Sequence, residues 1–175
     1  MVEFVEWPKT KRLFRDIVVT EKIDGTNAAI HITENPELPG TYSVQAQSRN
    51  RLIYPGDDNY GFAAWVSENA SVLIELLGPG LHFGEWWGKG IQRGYNQDGR
   101  NFSLFNTDKH RNLAAWVCGV AVRPVPVLYR GSFSEARIRS ALGRLEQFGS
   151  VAAPVSSTLS GSCTSICGST ADCGK

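Results

Sequence analysis

The apolar positions change period several times along the chain, and each change marks an element. Ile17, Val18 and Val19 form a β-branched run, and Ala28 to Ile32 form a second. A charged stretch containing Gly25 separates them, so two strands joined through a tight turn are predicted. Asn35, Pro36, Pro39 and Gly40 mark a hairpin-type loop before a third strand, Tyr42 to Gln47, with Val44 and Ala46 on one face. Tyr54 to Tyr60 reads as loop. Phe62, Val66, Ala70, Leu73 and Leu77 then recur at helical spacing with Trp65, Val72 and Leu76 beside them. One amphipathic helix over 61–77 follows, stopped by Gly78-Pro79-Gly80. Leu81 to Trp87 and Phe102 to Phe105 return to strand character across a loop punctuated by Gly88, Gly90, Gly94 and Gly99. Val117 to Tyr129 is valine-rich, but Pro124 and Pro126 admit it only as an edge strand. Ser132 and Glu135 form a capping-box signature ahead of Ile138, Ala141, Leu142, Leu145 and Phe148, and Gly149 supplies a stop, so a second helix is expected. The mixture of strands and two helices predicts an α+β fold.

Periodicity ends at Pro154. Fifteen of the twenty residues from Ser156 to Lys175 are Ser, Thr, Gly or Cys, too little apolar surface to offset the entropy of ordering. A folded domain over 1–154 and a low-complexity, disordered tail over 155–175 are therefore expected. At 175 residues, with 42% hydrophobic and 20% charged residues, the chain suits one globular domain and excludes collagen-like and coiled-coil classes. No apolar run approaches the roughly 20 residues of a membrane span, and Met1 to Glu6 lacks the features of a signal peptide. A cytoplasmic, non-membrane protein is the expectation.

The net charge of +1 conceals a split. Residues 1–88 carry 7 Lys/Arg against 12 Asp/Glu, whereas residues 89–175 carry 11 against 5. The C-terminal half is thus the one suited to phosphate. Cys163, Cys167 and Cys173 cluster in the tail without a nearby His, which makes a poor zinc site and no disulfide framework. Cys118 is read as a small buried hydrophobe without a role.

The candidate chemistry begins at Glu21, Lys22, Ile23, Asp24, Gly25, Thr26 and Asn27, which set a lysine at a turn made possible by Gly25 after a strand. An amine becomes nucleophilic when desolvation or positive charge lowers its pKa, and the end of a buried strand offers that setting. These seven residues resemble nucleotidyltransferase motif I of the covalent polynucleotide ligases, with the Thr-Asn extension typical of RNA ligases. Ser48-Arg49-Asn50-Arg51 resembles motif Ia, Phe83-Gly84-Glu85-Trp86-Trp87-Gly88 motif III, and Phe102-Ser103-Leu104-Phe105 motif IIIa. The resemblance runs from about Phe4 to Pro154 and is nearest to small phage and bacterial ATP-dependent RNA ligases.

That resemblance implies the ATP-grasp-like adenylation domain of RNA and DNA ligases, with antiparallel sheets and flanking helices. Lys22 would attack the α-phosphorus of ATP to form lysyl-AMP. Glu21 and Ile23 would follow the adenine by backbone contact, while Asp24 and Asn27 would position phosphate or its metal-bound water beside the Gly25 turn. Arg49 would bind phosphate, Glu85 the ribose hydroxyls, and Phe102 or Phe105 would stack on adenine. Of Trp86 and Trp87, one would pack inside and the other line the cleft. Arg51, Lys89 and Arg93 are candidates for RNA phosphates, with Tyr95 in the same loop. ATP, Mg²⁺ or Mn²⁺, and RNA 5′-phosphate and 3′-hydroxyl ends are the implied cofactors and partners. Motifs IV and V, a Glu-Gly followed by β-branched residues and a lysine-bearing strand, have no counterpart after Pro154. The domain is thus expected to be C-terminally incomplete, with a tail produced by a reading-frame change or truncation. A relative that binds nucleotide or RNA ends without joining them is the alternative, and a GTP-using capping enzyme a third.

Overall fold

The computed structural model describes residues 16–154 and the backbone of a two-residue strand at 165–166. The remaining tail, its three cysteines and the motif IV and V positions lie outside the described residues. In chain order the elements are β1 (Asp16–Thr20), β2 (Thr26–Glu34), β3 (Tyr42–Ser48), β4 (Leu52–Ile53), α1 (Phe62–Glu68), α2 (Ala70–Leu77), β5 (Gly80–Gly88), β6 (Arg100–Leu104), β7 (Ala115–Val117), β8 (Val120–Pro124), β9 (Val127–Ser132), α3 (Glu135–Phe148) and β10 (Ser165–Ile166). This is an α+β architecture, as the periodicity predicts. Among the described residues no helix is long and apolar enough to cross a membrane.

Eight strands pair in the order β10-β7-β8-β6-β5-β2-β3-β4, and β1 pairs separately with β9. Most pairings are antiparallel, whereas β6 with β8 and β7 with β10 are parallel. Alternation divides the large sheet. Ala28, Ile30, Ile32, Ala46, Trp86, Phe102, Leu104 and Val122 face α1 and α2 and form the main core. At its centre the Phe62 ring lies 5.2 Å from those of both Trp86 and Phe102, and Trp65 stacks 5.3 Å from Trp86.

Several expectations change. The single helix over 61–77 is two, because Asn69 leaves helical geometry at φ −115°. Its buried side chain donates to the Trp65 carbonyl at 2.8 Å, the local competition with helix that asparagine favours. The α3 cap is Ser134, whose oxygen accepts from the Arg137 amide, and not Ser132. Ser132 still pairs with Asp16 at the end of β9, so the helix cannot begin earlier. Residues 120–124 form an interior strand between β7 and β6 and not an edge. Pro124 is tolerated there as its final residue, and the Val125 amide resumes the pairing with the Leu104 carbonyl. Cys118 is exposed, not buried, at φ 45° in the β7–β8 turn beside Gly119. Both tryptophans are fully buried: Trp86 fills the core, and Trp87, on the opposite face, donates to Ser103 Oγ at 2.9 Å. Trp87 therefore lies under a second apolar cluster with Ile23, Val125, Ala152 and Ala153 and does not line a cleft.

Candidate active site

The face of the sheet away from α1 and α2 carries Asn27 and Ala29 on β2, Phe83 and Glu85 on β5, and Ser103 on β6, set side by side by the registers Asn27↔Glu85 and Glu85↔Ser103. In the segment 21–24, entering β2, burial alternates. Glu21 and Ile23 are buried, whereas Lys22 and Asp24 are exposed. The amine is therefore presented to solvent and is not enclosed at a strand end as expected. Its neighbours fix it from both sides.

Glu21 illustrates the first anchor. Its carboxylate accepts from Ser150 Oγ and from the Val151 and Ala152 amides at 2.9 and 3.0 Å, and its own amide donates to the Pro126 carbonyl. The Glu21 amide is thus unavailable to an adenine ring. Arg123 reaches the same segment by donating to the Ala152 carbonyl at 2.7 Å, and burial pushes its guanidinium pKa down. Sequence spacing shows neither contact, since the partners lie about 30 or more residues apart.

Glu85 is the second anchor. One oxygen accepts from the Gly25 amide at 3.0 Å and the other from Asn27 Nδ2 at 3.2 Å. Burial pushes its carboxyl pKa up; the Gly25 amide and the Lys22 ammonium act against that rise, and Asp24 adds to it. Gly25 is required by close approach and not by a left-handed turn. A Cβ there would stand 2.5 Å from the Trp86 carbonyl oxygen and 2.6 Å from Trp87 Cβ. Tyr95, at φ 51°, accepts from the Asp24 amide at 2.8 Å through its hydroxyl and sets its ring edge-on to Trp87. The aromatic of the glycine-rich loop thus supports the lysine turn.

Beside these anchors a cleft of about 230 Å³ is lined by Asn27, Ala29, Gln47, Arg49, Phe83 and Phe105, among others. Arg49 is exposed at its rim, and Phe105 is 44% exposed. Phe102 has no access to it. One residue earlier in the alternation than Ser103, it points into the core and is 0% exposed, which removes it from adenine stacking. Arg51 is held in a two-pronged pair with exposed Asp57, outside the cleft lining. Arg93 lies 3.8 Å from Asp24, and Lys89 is exposed just beyond β5. Among the described residues no three His, Cys, Asp or Glu side chains converge, and both Glu85 oxygens already accept hydrogen bonds.

The RNA ligase family model matches residues 15–162, which takes in every element from β1 through α3. No curated protein matches the chain.

Proposed function

The chain belongs to the RNA ligase family, and from that premise we propose that it is an ATP-dependent RNA ligase using Lys22 as nucleophile. The observation that carries the reading is the junction at Glu85, where one carboxylate ties the Gly25 turn and Asn27 to β5, Asn27 itself lining the cleft of Arg49 and Phe105; this supports Lys22, three residues before Gly25, as the group that works at that cleft. Phe105 offers a ring for the adenine and Arg49 a planar guanidinium for phosphate.

In the first step Lys22 loses a proton and its Nζ forms a bond to the α-phosphorus of ATP. The bond to the β-phosphate oxygen breaks and pyrophosphate leaves. AMP then passes to an RNA 5′-phosphate, restoring the lysine, and a 3′-hydroxyl displaces AMP to leave a phosphodiester. Mg²⁺ or Mn²⁺ would enter on the triphosphate as part of the substrate, since such ions are commonly held by one or two carboxylates plus phosphates. Here Asp24 is the exposed carboxylate beside the lysine.

A second reading, a relative that binds nucleotide or RNA ends without joining them, is favoured by the solvent exposure of Lys22. Incubation with α-phosphate-labelled ATP or GTP and a divalent ion separates the readings. Acid-labile protein-bound label from ATP, absent in Lys22→Ala, is expected of the ligase. Label from GTP alone would indicate a capping enzyme, and bound nucleotide without label would sink the ligase reading.

A further inference from the structure

The cleft of Arg49 and Phe105 is the first of a series of adjoining clefts. Phe83 and Phe105, which wall the first cleft, also line a second one with Leu81, Asn106, Lys109 and His110. Lys109 and His110 continue into a third, formed by residues 108–113 against Leu76. Arg111 carries that one into a fourth, bounded by Thr107, Pro124, Pro126 and Arg130. Each cleft shares lining side chains with the next, from Arg49 at one end of the series to Arg130 at the other.

Its lining changes character along the way. At the cleft end stand two exposed rings, Phe83 at 51% and Phe105 at 44%. Farther on, the loop after β6 presents Lys109 and Arg111 outward, and neither forms an ion pair among the described residues. Arg130 is partly neutralised by Asp108 at 2.6 Å, which leaves the stretch with net positive charge. The loop is not a loose tether for these cations. Thr107 and His110 are buried, His110 Nε2 lies 3.4 Å from His82 Nδ1, and the His110 and Leu113 amides donate to the carbonyls of Asn106 and His110.

Exposed rings followed by fixed, unpaired cations match the chemistry of a single nucleic-acid strand, whose bases stack and whose phosphates need positive charge. We propose that the groove from Phe83 past Lys109 and Arg111 holds the single-stranded RNA that carries the reacting end, with Phe83 stacking a base and the two cations contacting successive phosphates. This rests on the ligase reading and deepens it. It also assigns RNA contact to a different surface from Arg51 and Arg93, which already face Asp57 and Asp24.

The test measures binding of a fluorescent, 5′-phosphorylated single-stranded oligoribonucleotide to the full chain over a range of salt, beside RNA-independent labelling by ATP. The double variant Lys109→Ala with Arg111→Ala should weaken binding roughly tenfold or more at low salt and lower the salt slope by about 1.4. Phe83→Ala should weaken binding about tenfold with the slope unchanged, and Arg111→Lys should restore most of the charge-dependent part. Unaltered binding and slope in the double variant would overturn the proposal, as would equal preference for blunt duplex RNA that Phe83→Ala leaves intact. Absence of ATP label in a wild-type chain that still binds RNA through these residues would remove the ligase reading and leave the groove standing. Normal label with RNA binding indifferent to these changes would do the reverse.

Discussion

The two faces of the large sheet are built from alternate residues of the same strands, yet they are made differently. On one, Trp86, Phe102, Ile30 and Leu104 are fully buried against α1 and α2. On the other, Asn27 donates to Glu85, Trp87 donates to Ser103, and Arg123 donates to the Ala152 carbonyl. Adjacent residues, Glu85 and Trp86, thereby serve opposite ends. The helix-covered face supplies stability through apolar area. The open face tolerates buried polar groups because they are satisfied; among the described residues no buried side-chain nitrogen or oxygen lacks a partner. A substitution should report which face it belongs to.

The sharpest test of that division is Trp86→Ala, which should cost about 3–5 kcal/mol in urea unfolding and abolish labelling only by unfolding the chain. Glu85→Gln on the neighbouring residue should cost less, about 1.5–3 kcal/mol, since it replaces a carboxylate that holds two donors. Labelling of the still-folded protein should nevertheless fall at least tenfold, and an unchanged rate would break the link between Glu85 and Lys22. Glu21→Gln should cost about 1–3 kcal/mol by weakening the bonds to 150–152, measured again by urea.

A smaller effect concerns pH. Burial lowers the pKa of both His82 and His110 from 6.5, and each also feels the Lys109 charge. Depressed histidines add stability that is fully present above 6.5 and is lost as pH falls through their folded values. The melting temperature should therefore drop on acidification below about 6.5, and His110→Gln should flatten that dependence. Least of all, Phe105→Leu should leave stability within about 0.5 kcal/mol, given its exposure, while weakening ATP binding measured by titration.

Much of the fold was legible because period-two alternation is strong in β2 and β3, where one face is apolar. The break at Asn69 was hidden because the apolar positions continue in register through it, and the interior position of β8 because a proline at a strand's last residue looks like one in its middle. For the site, the order of the ligase-like segments was readable, and the family match bears out the RNA ligase resemblance. The choice between Phe102 and Phe105 was not readable, because it needs the register of β6 against β5. The Glu21 contacts were equally invisible, joining positions 129 to 131 residues apart.

The in–out alternation of residues 21–24 has a mechanical corollary. Glu21 is held by hydrogen bonds and Ile23 is buried, so the backbone at Lys22 is anchored on either side. Anything that bonds to its amine must be delivered to within the sweep of a four-carbon arm. On the proposed chemistry, placement along the sheet would be left to the incoming strand and nucleotide, with the lysine as the post around which they are moored.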